Sequence, residues 1–218
     1  MTINYIQARE NMVEQQVRPW DVLDLRVLEV LSTVPREHFV PELHRSLAYT
    51  DVEIPLGEGQ RMMKPVVEGR TLQALDLQSG EDVLEIGTGS GYLTACMARL
   101  ARDVVSLEIR PELAARARRQ IDADGHGGNV RIEVADALQY STDRRFDAIC
   151  VTAAVASLPP LFLQWLRPQG RLFVVHGRSP VMEAVLVRQD NDGPRFESLF
   201  ETDLPYLQGA APAPKFVF

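Results

Sequence analysis

Apolar positions in the first part of the chain recur at helical spacing. The segment DVLDLRVLEVLSTV, residues 21–34, has one apolar face, formed by Val22, Leu25, Leu28 and Leu31, and Pro35 marks its end. A second helix is predicted in VVEGRTLQALDLQSG, residues 66–80, and SLAYTDVEIPL between the two is rich in β-forming residues. The stretch GEGQRMMKPVVEG, residues 57–69, is therefore predicted to be a loop that joins an extended segment to a helix.

From Asp82 onwards, strand patterns alternate with helix patterns. The predicted strands are DVLEIG, DVVSLE, VRIEVAD, FDAICVTAA and, after an RPQG turn, GRLFVVHG; the predicted helices are YLTACMARLA, PELAARARRQI and LPPLFLQWL. Such alternation is typical of βαβ units on a parallel sheet. Near the end, VMEAVLVRQ and RFESLFETD flank the turn sequence DNDGP, which predicts an antiparallel hairpin at the sheet edge.

The change of pattern near Asp82 divides the chain into two predicted regions of one compact unit. Residues 1–79 form an N-terminal helical cap, and residues 80–218 form the domain that contains the sheet. The fold class is therefore α/β, a mostly parallel sheet with helices on both faces and antiparallel strands at its C-terminal edge.

Composition excludes several classes of protein. The 218 residues are 45% hydrophobic and 24% charged, the range of ordinary globular domains, and no run is long and apolar enough to span a bilayer. A net charge of −7 argues against binding to nucleic-acid phosphates. The start, MTINYIQARENM, has no pattern of a secretory signal, so the expected location is the cytoplasm.

The cysteines and histidines give no pattern of a metal site or a disulfide framework. Cys96 and Cys150 lie in apolar runs and are expected to be small core residues. The four histidines lie in different predicted elements without metal-ligand spacing: His38, His44, His126 and His176. Only His176, at the end of a predicted strand, is expected near a cleft.

The most informative motif is LEIGTGSGY, at the junction of the first sheet strand and its helix. Glycines at Gly87, Gly89 and Gly91 allow a tight turn that passes close to a ligand at the carboxyl edge of the sheet. A dinucleotide fingerprint requires G-x-G-x-x-G, and the third glycine here comes one residue early. With Glu85 two residues before the first glycine, the motif instead suits an adenosine ligand without pyrophosphate, commonly S-adenosylmethionine.

Two further acids follow the next two strands. Glu108 closes the second strand, where a carboxylate can accept both hydrogen bonds of a ribose diol. Asp136 closes the third, where it can accept a bond from an adenine amino group, with the Ala137 amide as complementary donor. Either acid alone is equally well explained as a solvated strand end. Three acids at successive strand ends beside a Gly-rich turn favour a nucleoside pocket.

Four segments together resemble one known family. These segments are ENMVEQQVRPWDVLDLRVLEVLSTVPREHFVP, AYTDVEIPLGEGQ, VLEIGTGSGYLTACMARL and VTAAVASLPPLFLQWLRPQGRLFVVHG, and they resemble the protein-L-isoaspartate O-methyltransferase family in order and spacing. The resemblance covers about residues 8 to 177. It implies a Rossmann-like class I methyltransferase fold and methyl transfer from S-adenosylmethionine to the free carboxylate of an isoaspartyl residue in a damaged protein.

The expected cofactor-binding residues combine the motif with its neighbours at the strand ends. They are Glu85, Gly87, Thr88, Gly89, Gly91, Tyr92, Glu108, Ile109, Asp136, Ala137 and Thr152. The expected acceptor-side residues are Gln60, Arg61, Met63 and Lys64, which follow the Gly-x-Gly pair of the quoted loop.

The acceptor-side segment is also where the chain departs from the family. The family usually continues Thr-Ile-Ser-x-Pro after Gly-x-Gly-Gln, and Met63 stands where the serine would be. A thioether cannot donate a hydrogen bond to a carboxylate. Arg61 and Lys64 are either a compensating pair that attracts an anionic acceptor or solvated loop cations beside packing methionines.

Three functions therefore stay open at this point. The chain is an active isoaspartyl methyltransferase, a methyltransferase of the same fold with another acidic acceptor, or a cofactor-binding protein without turnover. The intact pocket motif makes a protein that binds no cofactor the least favoured interpretation.

Overall fold

The computed structural model describes residues 3–190 and 193–213. Its strands are β1 (Ile54–Gly57), β2 (Gln60–Met62), β3 (Asp82–Ile86), β4 (Asp103–Glu108), β5 (Val130–Val134), β6 (Phe146–Val155), β7 (Leu166–Arg178), β8 (Val181–Asp190) and β9 (Gly193–Thr202). Its α-helices are α1 (Tyr5–Met12), α2 (Leu25–Thr33), α3 (Pro65–Leu75), α4 (Tyr92–Leu100), α5 (Pro111–Asp124) and α6 (Pro160–Gln164). One π-helical turn, Val13–Val17, and three short 3₁₀ helices, Arg18–Trp20, Arg36–His38 and Glu42–Leu47, complete the N-terminal region.

Seven strands form a single sheet in the order β5-β4-β3-β6-β7-β8-β9. The five strands from β3 to β7 are parallel, and β8 and β9 continue the edge in antiparallel pairs. The predicted fold class is therefore confirmed. From β3 the chain moves towards β5, and from β6 it moves towards β9. This reversal of direction leaves a crevice at the carboxyl ends of β3 and β6, where open parallel sheets bind ligands.

Apolar cores cover both faces of the sheet. One core joins the N-terminal helices to the sheet through buried side chains such as Met12, Leu31, Leu72 and Phe173. The other packs Phe146, Phe162 and Trp165 against the opposite face. Cys96 and Cys150 are buried free thiols, as expected of core residues. The boundary near residue 80 stays a prediction.

Among the differences between the local predictions and the structure, three change the start of an element by several residues or change its type. Helix α2 begins at Leu25 and not at Asp21, because Asp24 caps it by accepting a bond from the Arg26 amide at 2.8 Å. Strand β7 begins at Leu166, so the predicted RPQG turn lies inside it; the Phe146 amide donates to the Trp165 carbonyl at 2.8 Å and pairing starts there.

The third difference concerns the stretch predicted to be a loop. Residues 54–62 form an antiparallel hairpin, β1 with β2, and the chain then enters α3 at Pro65. The turn forms because Gly57, Glu58 and Gly59 all have positive φ angles. No helix in the two described ranges is long and apolar enough to cross a membrane.

Candidate functional site

A cleft opens at the carboxyl edge of the sheet, with about 670 Å³ of empty space including its mouth. Seven of the predicted cofactor-binding residues line it together: Gly87, Gly89, Glu108, Ile109, Asp136, Ala137 and Thr152. From the predicted acceptor side, Gln60 and Arg61 of the hairpin also reach it. The sequence thus predicted one contiguous surface from separate strands, because parallel strands end at a common edge.

The Gly-rich turn after β3 is shaped by two close approaches. Gly87 has a φ of +99°, and a Cβ there would lie 2.4 Å from Thr152 Oγ1, which itself donates to the Gly87 carbonyl at 2.5 Å. A Cβ on Gly91 would lie 2.9 Å from the Ala117 Cβ of α5. Gly87 therefore keeps the turn against β6, while Gly91 serves packing. Gly91 and Tyr92 line neither the cleft nor the cavity beside it.

Glu108 connects the cleft wall to this turn. Its Oε2 accepts the Gly89 amide at 2.9 Å, and its Oε1 accepts the Arg110 amide at 3.0 Å. Each carboxylate oxygen retains a second lone pair, so two further donors can be accepted. The buried Glu108 carboxylate is thus fixed in place and still able to bind a diol.

Asp136 lies just after its strand and not at the strand end as predicted, because β5 is two residues shorter than the predicted strand. Strand β5 ends at Val134, and the Ala135 amide still donates to the Glu108 carbonyl at 3.0 Å, so Asp136 follows the strand by two residues. Its carboxylate accepts bonds from the Leu138 amide at 2.9 Å and from the Gln139 side chain at 2.8 Å. The side chain is therefore held at the cleft by local bonds.

A second, smaller space adjoins the cleft on the other side of the Gly-rich turn. We call it the inner cavity; it is lined by Leu56, Arg61, Met62, Met63, Glu68, Glu85, Gly87, Thr88, Gly89, Ser90, Leu93 and Thr152. Five of these residues, Leu56, Arg61, Gly87, Gly89 and Thr152, also line the cleft, so the two spaces share a wall.

Glu85 is fully buried beside the inner cavity. Its Oε2 accepts hydroxyl bonds from Thr94 and Ser106, each at 2.5 Å, and Thr88 Oγ1 lies 2.5 Å from the Ser106 hydroxyl. Its Oε1 has no hydrogen-bond partner among the residues that the structure describes. Burial raises the pKa of Glu85 to about 8, against the hydroxyl bonds that favour the carboxylate. The arrangement leaves one buried oxygen that suits a cationic donor.

This raised pKa has a consequence for stability. The folded protein retains a proton on Glu85 up to about pH 8, whereas the unfolded chain loses it near the ordinary value of 4.5. Between these values the native state binds more protons, so the wild-type free energy of unfolding falls as pH rises. In Glu85→Gln, we expect the decrease in the free energy of unfolding over this pH range to be smaller than in the wild type by on the order of a few kcal/mol.

Urea unfolding at pH 5 and pH 8.5 measures this effect. Burial raises the pKa of Glu68 to about 7, although its ion pair with Arg36 acts in the opposite direction. Because Glu68 still titrates in the variant, part of the decrease in the free energy of unfolding with pH should persist. If the free energy of unfolding changed equally with pH in the wild type and in Glu85→Gln, Glu85 would not be protonated in the folded protein.

The acceptor-side segment divides into buried and exposed residues. Met62 and Met63 are 3% and 6% exposed, and both belong to the core that joins the N-terminal region to the sheet. Arg61 is exposed and pairs with Glu53, with Nη1 3.3 Å from Oε2. Lys64 is exposed and lies on an outer groove with Asp51, Glu53, Glu201 and Asp203 rather than in the cleft. The packing interpretation of the methionines fits this structure, and the role of the cations stays a prediction.

Several cleft residues carry no recognisable sequence signal. Pro205, Leu207 and Gln208 line the cleft because their segment pairs with the end of β6: Ala154 donates to the Pro205 carbonyl at 2.9 Å and Leu207 to the Ala154 carbonyl at 2.7 Å. The other lining residues that the sequence left unassigned are Leu56, Ile86, Leu107, Arg110, Leu113, Ala135 and Ala153.

The histidine expected near the cleft does not line it. His176 faces the neighbouring strand β8, where its Nε2 lies 3.6 Å from Glu183 Oε2. His176 lies near the carboxyl end of β7, as predicted, but there it is the register partner of Glu183 in β8. Within the described ranges, no group of three or more His, Cys, Asp or Glu side chains is arranged to hold a metal ion.

Comparison with known proteins assigns the family. Residues 7–202 match the sequence model of the family described as protein-L-isoaspartate(D-aspartate) O-methyltransferase. The chain belongs to this family. Its members are S-adenosylmethionine-dependent carboxyl O-methyltransferases, so the chain is a methyltransferase with that cofactor.

Individual isoaspartate methyltransferases are similar over most of their length. The chain is 38% identical to protein-L-isoaspartate O-methyltransferase 2 of Shewanella sediminis, over 86% of this chain and 78% of the relative. It is 39% identical to protein-L-isoaspartate O-methyltransferase 1 of Syntrophobacter fumaroxidans, over 90% and 92%. A Plasmodium falciparum protein of the same description, crystallised with S-adenosyl-L-homocysteine, shares the fold with a TM-score of 0.81, 22% identity and coverage of 94% and 99%.

The residues present fit the methyltransferase cofactor. Gly87 leaves no room for a side chain between the turn and β6, so only the main chain faces a ligand there. Glu108 presents free lone pairs for a diol, and next to the same turn Glu85 has a buried oxygen to which no residue of the described ranges donates. A nucleoside diol and the ammonium group of an amino-acid end are donors that match these acceptor oxygens.

Proposed function

We propose that the protein transfers a methyl group from S-adenosylmethionine to the free carboxylate of an isoaspartyl residue in a protein or peptide. The observation that carries this proposal is the family match, which spans residues 7–202 and includes both the sheet and the N-terminal region. The curated relatives at 38% and 39% identity are named for the same reaction.

Each group of residues takes a role in this proposal. Glu108 binds the ribose diol, and Asp136 binds the adenine amino group beside the Ala137 amide, with Ile109 and Thr152 as further cleft walls. Glu85 and Thr88 receive the amino-acid end of the cofactor from the inner cavity. Gly87 and Gly89 let the main chain approach it, and Gly91 and Tyr92 support the turn. The acceptor-side residues are Gln60, Arg61, Met63 and Lys64.

The chemistry places few demands on the protein beyond orientation. When bound, S-adenosylmethionine supplies an electrophilic methyl group. The acceptor carboxylate has an ordinary pKa near 4, so it is already ionised at neutral pH and requires no general base. The protein must align the two groups and exclude water, and alignment alone can lower a barrier by about 7 to 11 kcal/mol. The β1–β2 hairpin, whose Leu56, Gln60 and Arg61 line the cleft, is placed to do both.

A second candidate is a methyltransferase of the same fold that uses another acidic acceptor. It is favoured by one observation: the buried thioether of Met63 in the inner cavity stands where the family usually has a serine, so an isoaspartyl carboxylate is offered no hydroxyl bond there. Arg61, exposed and paired only loosely with Glu53, could then bind a small anion.

Transfer of labelled methyl groups separates the two candidates. We expect base-labile radioactivity on a synthetic isoaspartyl peptide and none on the matching aspartyl peptide. A cell extract depleted of isoaspartyl damage serves as the second acceptor. A different outcome would support the second candidate and overturn the first. In it, small acidic molecules of the extract become labelled while the isoaspartyl peptide does not, under conditions where the protein binds S-adenosylhomocysteine.

A further inference from the structure

The buried guanidinium of Arg36 lies behind both the acceptor-side segment and the Gly-rich turn of the proposed site. Arg36 belongs to the short 3₁₀ helix Arg36–His38, has no exposed surface, and is among the largest fully buried side chains in the described part of the chain. An isolated buried charge is strongly unfavourable, so its contacts define what it does. Nε donates to the Ala48 carbonyl at 2.8 Å, Nη2 donates to the Met63 carbonyl at 2.7 Å, and Nη1 pairs with the Glu68 carboxylate.

These contacts connect the acceptor-side segment to the Gly-rich turn. Met63 and Glu68 both line the inner cavity, so two of the three partners lie on its wall. The guanidinium also stacks over the ring of Tyr92, 4.8 Å from its centroid, and Tyr92 is the first residue of α4 after the turn. One planar group therefore contacts the segment that faces the acceptor and the element that follows the cofactor turn.

We propose that Arg36 is a positioning residue for methyl transfer, which fixes the main chain of the acceptor-side segment at Met63 relative to the Gly-rich turn. This inference rests on the proposed function of the same site. Arg36 touches neither the cleft nor the inner cavity, so it acts through Met63 and Glu68. Displacement of reacting groups by about 1 Å can lower a rate about a hundredfold.

Replacing Arg36 by lysine distinguishes the effect of the positive charge from the effect of the planar guanidinium. Arg36→Lys keeps a cation beside Glu68, but a single ammonium cannot reproduce the planar fork that serves Glu68 and two carbonyl groups at once. We expect the single-turnover rate with an isoaspartyl peptide to fall about a hundredfold, while the calorimetric affinity for S-adenosylhomocysteine stays unchanged. The affinity is retained because Glu108 and Asp136 lie on separate elements.

Arg171 provides a matched control. It is also buried, donates to the main chain at Leu75 and Asp76, and pairs with Glu81, but it lies away from the cleft and the inner cavity. Arg171→Lys should lower the urea midpoint as Arg36→Lys does, and leave the single-turnover rate unchanged. Equal rates in the two variants would overturn the positioning role and leave Arg36 as a structural residue.

A double variant tests the positioning role of Arg36 without leaving an unpaired buried charge. Arg36→Met with Glu68→Leu removes both buried charges together, a change that proteins often tolerate well. We expect a urea midpoint above that of Arg36→Met alone but no recovery of rate, because the Met63 carbonyl has lost its donor. Full recovery of the rate would overturn the proposal.

Hydrogen exchange gives a readout that does not depend on the acceptor. Faster amide exchange across residues 60–64 is expected in Arg36→Lys and not in Arg171→Lys, and equal exchange would contradict the proposal. A wild-type protein that methylates no isoaspartyl peptide would instead overturn the proposed function, and the exchange result would still decide whether Arg36 positions the segment.

Discussion

Replacing Glu108 by alanine is expected to weaken S-adenosylhomocysteine binding about a hundredfold or more. Hydrogen bonds to a charged group contribute about 1.5 to 3 kcal/mol each, and the proposed ribose diol makes two of them. Each 1.4 kcal/mol corresponds to about a tenfold change in Kd. The variant also leaves the Gly89 amide without the carboxylate that accepts its bond at 2.9 Å, so the turn itself is loosened. Isothermal titration calorimetry measures the change directly.

Glu112→Ala is the matched control for this experiment. Glu112 is exposed in the first turn of α5, four residues after Glu108, and does not line the cleft. Its replacement by alanine removes the same charge as Glu108→Ala. We expect its affinity to equal that of the wild type, because long-range attraction to an exposed charge is screened by salt. If Glu108→Ala bound S-adenosylhomocysteine as tightly as Glu112→Ala, the ribose subsite would have to lie elsewhere in the cleft.

The cleft was predictable because parallel strands place their ends at one edge. Glu85, Glu108 and Asp136 belong to or follow successive strands, and the alternation of strand and helix patterns predicts that β3, β4 and β5 belong to one parallel sheet. The Gly-rich turn adds a main-chain surface at the same edge. Local pattern therefore predicted both the sheet and the cleft at its carboxyl edge, although Asp136 lies two residues beyond the observed end of β5 and not at the strand end.

The remaining parts of the site depend on contacts between distant segments. Pro205 and Leu207 reach the cleft through pairing with Ala154, which no periodicity in their own segment encodes. Arg36 is equally hidden in sequence, since a charged residue in a polar stretch is ordinarily expected at the surface. Its burial follows from three acceptors, at Ala48, Met63 and Glu68, that only the folded chain assembles.

The hairpin shows how turn chemistry can override a loop prediction. The stretch from Gly57 to Gly69 is predicted to be a loop, but a turn with three consecutive positive φ angles reverses the chain and pairs Ile54 with Met62. As a result, Arg61 is directed to the surface and Met62 and Met63 are buried. The pairing places Leu56 and Arg61 beside the Gly-rich turn, where both residues line the cleft and the inner cavity.

Replacing Met63 by serine is expected to raise the rate of isoaspartyl methylation about a hundredfold. The Met63 side chain lines the inner cavity and offers no donor, whereas a hydroxyl at this position can orient an acceptor carboxylate. One oriented donor at a reacting oxygen, in a site that excludes water, contributes roughly 3 kcal/mol. The main-chain bond from Arg36 to the Met63 carbonyl is retained, so the new hydroxyl is held in a fixed segment. Single-turnover transfer to an isoaspartyl peptide measures the gain.

The same substitution should lower stability, and Met97→Ser separates the two effects. Truncating a buried methionine costs about 2 to 5 kcal/mol, and Met97 is fully buried in α4 without lining the cleft or the inner cavity. Both variants should therefore unfold at lower urea concentrations, and only Met63→Ser should transfer methyl groups faster. A Met63→Ser protein that binds S-adenosylhomocysteine normally but gains no rate would mean that the acceptor carboxylate is held by other donors. Arg61 would then be the first residue to test, because it lines the cleft, the inner cavity and the outer groove.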